Sequence, residues 1–221
     1  MKNFDFQGLR VLITGGTSGL GKALAEALAL RGAQVVIVAR HTAPEPMRGV
    51  HFIQADVSKK SDTYRISAEA IAHLGGVDLL INNASALGAT PLRLLMDTDC
   101  EDLQHVLETN LIGAFRLTKA ILPGMVLRKS GTVLNISSDA AVNPYPRWGS
   151  YGASKAALAH LSRIWGEELK DQGVHFIAVD PGDMNTPMHA AAIPDADVSQ
   201  LNDPRDVALR LLEVIHASRT I

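Results

Sequence analysis

The chain has 221 residues, 47% hydrophobic and 20% charged, with 21 basic and 23 acidic side chains giving a net charge of −2. That composition fits one globular domain with a full-sized core, and it excludes both a disordered chain and the basic field that nucleic acid or an anionic membrane would require. The single Cys100 rules out an internal disulfide and Met1 to Arg10 lacks a signal-peptide core, so a soluble cytoplasmic protein without a membrane span is expected.

Leu9 to Thr14, LRVLIT, is a short apolar run rich in branched residues and predicts a buried strand. It leads into Gly15-Gly16-Thr17-Ser18-Gly19-Leu20-Gly21, after which Ala23, Leu24, Ala27 and Leu28 recur at helical spacing until Gly32 stops them. Strand, glycine turn and helix in that order make a cradle for a pyrophosphate. The glycines permit close backbone approach, and the free N–H groups and dipole of the new helix attract the anion. Gly15, Thr17, Ser18, Gly19, Leu20 and Gly21 are therefore candidate cofactor contacts. The second strand, Gln34 to Ala39, ends where NAD-binding folds commonly place an acid for the ribose 2′-hydroxyl, but Arg40 and His41 stand there. A guanidinium holds a 2′-phosphate through charge-assisted hydrogen bonds, so NADP(H) is favoured over NAD(H).

His41 to Gly49 predicts a loop with two prolines, and Val50 to Gln54 a third strand followed by Asp56-Val57. Asp56 could accept from an adenine amine or cap the next helix, a role open to Ser58 as well. Val77 to Ile81 predicts a fourth strand ending in Asn82-Asn83-Ala84-Ser85, where small and amide side chains let the chain pass close to a ribose. Leu103, Val106, Leu107, Leu111 and Ala114 mark the inward stripe of a helix, and Asn110 falls on it. A buried amide needs its hydrogen bonds met, so Asn110 serves either the site or a structural bond to a neighbouring strand.

Thr132 to Ile136 predicts another buried strand, with Ser138 at its end, where the hydroxyl could meet a substrate oxygen. Tyr151 and Lys155 are four apart, on one face of a helix. An ammonium within roughly 4–6 Å favours the phenolate and pulls its pKa of about 10 toward neutrality, giving a group able to donate or accept a proton. An ordinary surface helix is the alternative for these two residues taken alone. Ala140, Val142, Pro144, Tyr145, Trp148, Leu87, Met184 and Met188 form an apolar, partly aromatic wall, which suits a hydrophobic ketone or aldehyde better than a phosphorylated sugar. Arg147 is expected to face solvent. Pro187 to Asn202 predicts a short loop, and about Pro204 to His216 a last helix. The eight histidines lack ligand spacing, so no metal is expected.

Together these residues resemble the classical short-chain dehydrogenase/reductase (SDR) family, from Thr14 to about Val207. TGGTSGLG, Asp56-Val57, NNAS, Asn110, Ser138, YGASK and PGDMNT, from Pro181 to Thr186, stand in the family's order. The resemblance implies a Rossmann-like α/β fold, a doubly wound parallel sheet in three αβα layers, with a nicotinamide cofactor. It also implies a catalytic tetrad of Asn110, Ser138, Tyr151 and Lys155. In that family pattern Tyr151 is the general acid in reduction and the base in oxidation, while Ser138 polarises the carbonyl. Lys155 binds the nicotinamide ribose and lowers the tyrosine pKa, Asn110 holds a water linking Lys155 to solvent, and Pro181, Gly182, Met184 and Thr186 meet the carboxamide. Three departures stand out. Ser85 replaces the family's usual glycine, no basic residue precedes Gly19, and the usual last strand is missing or reduced. Six main strands are therefore expected, with a homodimer in place of the usual tetramer. The expected function is an NAD(P)(H)-dependent carbonyl reductase or alcohol dehydrogenase acting on a small apolar substrate. The alternative is a catalytically silent NADP-binding regulatory or structural protein of the same fold.

Overall fold

The computed structural model describes residues 4–41, 45 and 47–218; both chain ends and part of the proline loop predicted at 41–49 lie outside the described residues. Six apolar runs form strands: β1 (Arg10–Thr14), β2 (Gln34–Ala39), β3 (Val50–Gln54), β4 (Leu79–Asn82), β5 (Gly131–Ile136) and β6 (Val174–Val179). The helices are α1 (Gly19–Ala29), α2 (Lys60–Leu74), α3 (Cys100–Leu107), α4 (Ala114–Arg128), α5 (Gly149–Glu168), α6 (Pro187–Ala192) and α7 (Pro204–Ser218). All strands pair in parallel in the order β3-β2-β1-β4-β5-β6, the expected doubly wound, six-stranded Rossmann-like sheet.

The strand sequences are almost continuously apolar because both sheet faces are covered, with alternate residues serving opposite layers. Val11, Ile13, Val35 and Ile37 pack against Leu24 and Leu28 of α1 and Leu211 and Leu212 of α7. Leu12, Val36, Leu80 and Val133 face the other way, onto Ile66 of α2 and Leu117 and Ile121 of α4. Each such side chain contributes about 1.5–3 kcal/mol when fully buried. On that second face the buried amides of Asn82 and Asn135 bond each other at 2.8 Å, and reach Thr118 of α4 at 3.1 Å and Ser162 of α5 at 2.8 Å. From β1 the sheet grows one way to β2 and β3, and from β4 the other way to β5 and β6. That reversal opens a crevice at the strand tips, where open α/β sheets bind their ligands.

Three local expectations change. The helix bearing Asn110 is interrupted by a π-helical stretch, Glu108–Gly113, between α3 and α4. Val106, Asn110 and Ala114 are buried while Leu103, Leu107 and Leu111 are only half-buried, because a wide turn adds a residue and rotates the inward face. Gly113 is where this helix crosses the loop after β3, and a Cβ there would stand 2.5 Å from the Val57 carbonyl oxygen. The 29-residue helix Cys100–Arg128 is, by length and composition alone, apolar enough to cross a membrane, with a mean hydropathy of 1.2 over its window. A helix packed within a globular domain meets that criterion too, and here it packs in the second layer and carries an Arg116–Glu108 ion pair at 2.9 Å.

Secondly, Ser58 does not cap α2. The helix starts after Lys59, and the Asp56 carboxylate turns back to accept from the Ser58 amide at 3.0 Å and hydroxyl at 2.7 Å. Thirdly, Pro187 to Asn202 is not a plain loop. The Thr186 hydroxyl accepts from the His189 amide at 3.2 Å and caps α6, which begins on a proline.

Candidate active site

The crevice is a cleft of about 630 Å³ bounded by the glycine turn, the tips of β2, β4 and β5, the start of α5 and the segment leading into α6. All the proposed cofactor and substrate contacts line it except Gly21, and of the tetrad only Asn110 stands outside. From the apolar wall, Val142 and Pro144 are missing; Val142 is 85% exposed. Arg147 is exposed and outside the cleft, as expected.

Gly21 is excluded for a packing reason. It presses α1 against the turn, and a Cβ there would collide with the Gly15 carbonyl oxygen and stand 2.5 Å from Asn83 Nδ2. That same amide nitrogen donates to the carbonyls of Thr14 at 3.0 Å and Gly15 at 3.1 Å, while the Thr14 hydroxyl accepts from the backbone of Asn83 and Ala84 at 3.0 Å each. Asn83 therefore fastens β4 to the turn. The start of α1 suits an anion, since Ser18 makes no side-chain cap and no acid sits in the first turn. At the far end of the cleft Arg40 is exposed beside Asp56, whose carboxyl is held below its ordinary value: burial works against ionisation, and the Ser58 bonds and the Arg40 charge outweigh it. An anionic group at α1 and a second phosphate at Arg40 are thus both accommodated by the residues present.

At the inner end, Tyr151, Ser138 and Lys155 converge. Lys155 is fully buried, its ammonium donates to the Ile136 carbonyl at 2.8 Å, and it lies 5.5 Å from the centre of the Tyr151 ring. Burial lowers its pKa from 10.5 to about 8. The phenol moves the other way from the sequence expectation. Burial raises the Tyr151 pKa above 10, the Ser138 and Ser85 hydroxyls oppose that, and the charges of Asp180 and Asp139 add to it. The lysine does not bring the phenol toward neutrality here, because the cation is anchored on a carbonyl beneath the ring and the phenolic oxygen sits in a poorly hydrated setting. Trp148 meets the Tyr151 ring edge-on at 5.5 Å, and Ser138 donates to Asp139 Oδ1 at 3.1 Å.

Asn110 is 1% exposed and its partners are all within the protein. Its carbonyl oxygen accepts from Ala86 N at 2.7 Å, and its amide donates to Ala86 O and to Ser154 Oγ, both at 2.9 Å. Ser154 in turn donates to the Tyr151 carbonyl at 2.6 Å. Both amide hydrogens are committed within the protein. The Asn110 side chain bolts the turn carrying Ser85 to the helix carrying Tyr151. Sequence reading located its burial but not this bridge, and it missed Ser137, Asp139, Asp180, Asp183 and His189, which also line the cleft. Ser137 and Asp139 were signalled only by adjacency to Ser138 and Asp183 by its place in PGDMNT; Asp180 and His189 stand in no chemical pattern.

The family model of the short chain dehydrogenases matches residues 10–197. The chain belongs to that family. Among its SDR relatives is the 3beta-hydroxysteroid dehydrogenase 1 of Eggerthella lenta, 32% identical over 87% of this chain and 77% of that protein. The 3-oxoacyl-acyl-carrier-protein reductase of Vibrio cholerae is also 32% identical, over 92% of this chain and 88% of its own. Among solved structures, the 3-ketoacyl-acyl-carrier-protein reductase of Brucella melitensis complexed with NADH superposes with a TM-score of 0.88, at 26% identity and over 97% and 94% of the two chains. A short-chain dehydrogenase from Streptomyces avermitilis gives 0.82 at 30% identity, over 94% and 84%. This SDR chain is thus an oxidoreductase of a family that binds nicotinamide cofactors.

Proposed function

We propose that this protein is an NADP(H)-dependent carbonyl reductase or alcohol dehydrogenase, with Tyr151 as the group that exchanges the proton. The observation that carries it is the convergence of the Tyr151 phenol, the Ser138 hydroxyl and the Lys155 ammonium at the inner end of a cleft whose outer parts suit a dinucleotide. Gly15, Thr17, Ser18, Gly19 and Leu20 would hold the pyrophosphate, Asp56, Val57, Asn83, Ala84 and Ser85 the adenosine and ribose walls, and Pro181, Gly182, Met184 and Thr186 the nicotinamide end. When bound, the cofactor supplies a hydride to the carbonyl carbon or takes one from the alcohol carbon. Ser138 holds the substrate oxygen, Tyr151 gives it a proton in reduction or removes one in oxidation, and Lys155 keeps a positive charge beside the phenol. A phenol held above its ordinary value is protonated at neutral pH and so carries the proton that reduction consumes.

The substrate is an uncharged, apolar carbonyl compound or its alcohol. Ala140, Tyr145, Trp148, Leu87, Met184 and Met188 support this, as do the carboxylates of Asp139, Asp180 and Asp183, which would repel a phosphorylated or carboxylated one. The NADP(H) preference rests on Arg40. Replacing Arg40 by Asp should raise the KM for NADPH and lower that for NADH; an unchanged preference would defeat the assignment. A homodimer through α4 and α5 belongs to the same proposal, supported by exposed Leu127 (86%) and Ile164 (39%) on those helices. Sedimentation that gives a stable tetramer overturns it.

The deciding experiment is a panel of ketones, aldehydes and alcohols followed at the nicotinamide absorbance, with Tyr151→Phe as control. Turnover should fall by at least about a hundredfold in the variant. Turnover equal to that of the parent removes Tyr151 from the reaction, and cofactor binding without turnover of any compound returns the silent binding protein.

A further inference from the structure

Ser85 stands in the turn after β4, and its Oγ is buried without a hydrogen-bond partner among the described residues. A buried hydroxyl left unpaired is destabilising, so the position calls for an explanation. The turn is held on both sides of it. Thr14 Oγ1 accepts from Asn83 and Ala84, and Asn110 engages both the N–H and the carbonyl of Ala86. Through Ser154 the same Asn110 also fixes the first turn of α5. Ser85 and Tyr151, which line the same cleft, are therefore held at a set separation by one buried amide.

The other hydroxyl at the phenol is differently placed. Ser138 already donates its proton to Asp139 Oδ1 at 3.1 Å and accepts from Ala140 N at 3.2 Å. Asp139 is exposed and also takes the Tyr145 hydroxyl at 2.7 Å. Asp139 thus competes for the Ser138 proton, whereas the Ser85 hydroxyl has no other partner among the described residues.

We propose that Ser85 is a positioning residue for the reaction, its hydroxyl donating to the Tyr151 oxygen and stabilising the phenolate beside Ser138. This rests on the assignment of Tyr151 as the proton-exchanging group, and it adds a donor where SDR sequences usually have glycine. The charged groups that bear on the phenol are Lys155 beneath the ring and Asp139 and Asp180 at the cleft wall, the carboxylates raising its pKa while the Ser85 hydroxyl lowers it. None of the three is altered by a change at position 85.

The chain has three tyrosines, so each phenol can be titrated separately by carbon NMR with ring-labelled tyrosine, Tyr151→Phe assigning the resonance. In Ser85→Ala the Tyr151 pKa should rise by about one unit, Tyr64 and Tyr145 should not move, and Ser85→Thr should restore the parent value. In the enzyme assay, the limb of the kcat–pH profile governed by Tyr151 should move up by the same amount in Ser85→Ala. An unchanged Tyr151 pKa in a folded Ser85→Ala protein overturns the proposal, as does a shift that Ser85→Thr fails to reverse. The titration needs no turnover, so it stands apart from the test of Tyr151 itself: a phenol that responds to Ser85 in a protein whose Tyr151→Phe variant keeps its activity would refute the catalytic assignment alone.

Discussion

At pH 7, replacing Lys155 by Met should leave the protein as stable as the parent or slightly more so while removing its activity. The parent buries this ammonium completely, and burial lowers its pKa from 10.5 to about 8. That displacement corresponds to about 3 kcal/mol of unfavourable free energy whenever the folded protein must carry the proton. Methionine has nearly the same length and no charge, so the cost disappears. Against this, the Ile136 carbonyl loses its 2.8 Å partner, at about 1–3 kcal/mol. The net gain at pH 7 is therefore small, about 0–2 kcal/mol.

The pH dependence is the sharper measure. Between pH 8 and 10.5 the unfolded chain still holds the proton that the folded protein has lost, so the parent's stability rises with pH through that window. Below about pH 8 its full cost is present. Urea unfolding of both proteins at intervals from pH 7 to 10.5 should show the parent gaining about 3 kcal/mol on the variant. Parallel curves over that range would refute the argument that burial dominates this lysine.

Gly21→Ala places a methyl on the Gly15 carbonyl and the Asn83 amide, so it should cost about 1–3 kcal/mol and weaken dinucleotide binding, read by calorimetric titration. Asn110→Ala leaves Ala86 N–H and C=O without partners in a buried setting; a loss of about 2–4 kcal/mol in urea is expected, with kcat falling more than KM changes because the Ser85 turn and α5 come apart. Asp78 is held below its ordinary carboxylate value, burial being outweighed by the Arg10 bonds and the Arg10 and Arg128 charges. Its stabilising effect is complete above 3.8 and disappears as pH falls through the lower folded value. The stability difference between the parent and Asp78→Asn should therefore vanish in acid, as seen by unfolding at graded pH.

The sheet, the glycine turn, the Tyr151–Lys155 helix and the place of Ser138 were all legible in the chain. They depend on signals confined to a few neighbouring residues: apolar runs, glycines between strand and helix, and a spacing of four on one face. Arg40 was legible for the same reason, as the residue directly after a strand end. What neighbouring residues cannot encode is which groups from distant segments meet, and how much water reaches them. Burial of Tyr151 reversed the pKa direction that spacing alone suggested, because desolvation depends on everything packed around the phenol. Asn110, Ala86, Ser154 and Tyr151 are joined only by the fold, across separations of 24 and 44 residues. The same holds for Gly21, which reads as a ligand contact in the motif and is a packing contact in space, since a collision with Gly15 and Asn83 exists only once β1, α1 and β4 are assembled.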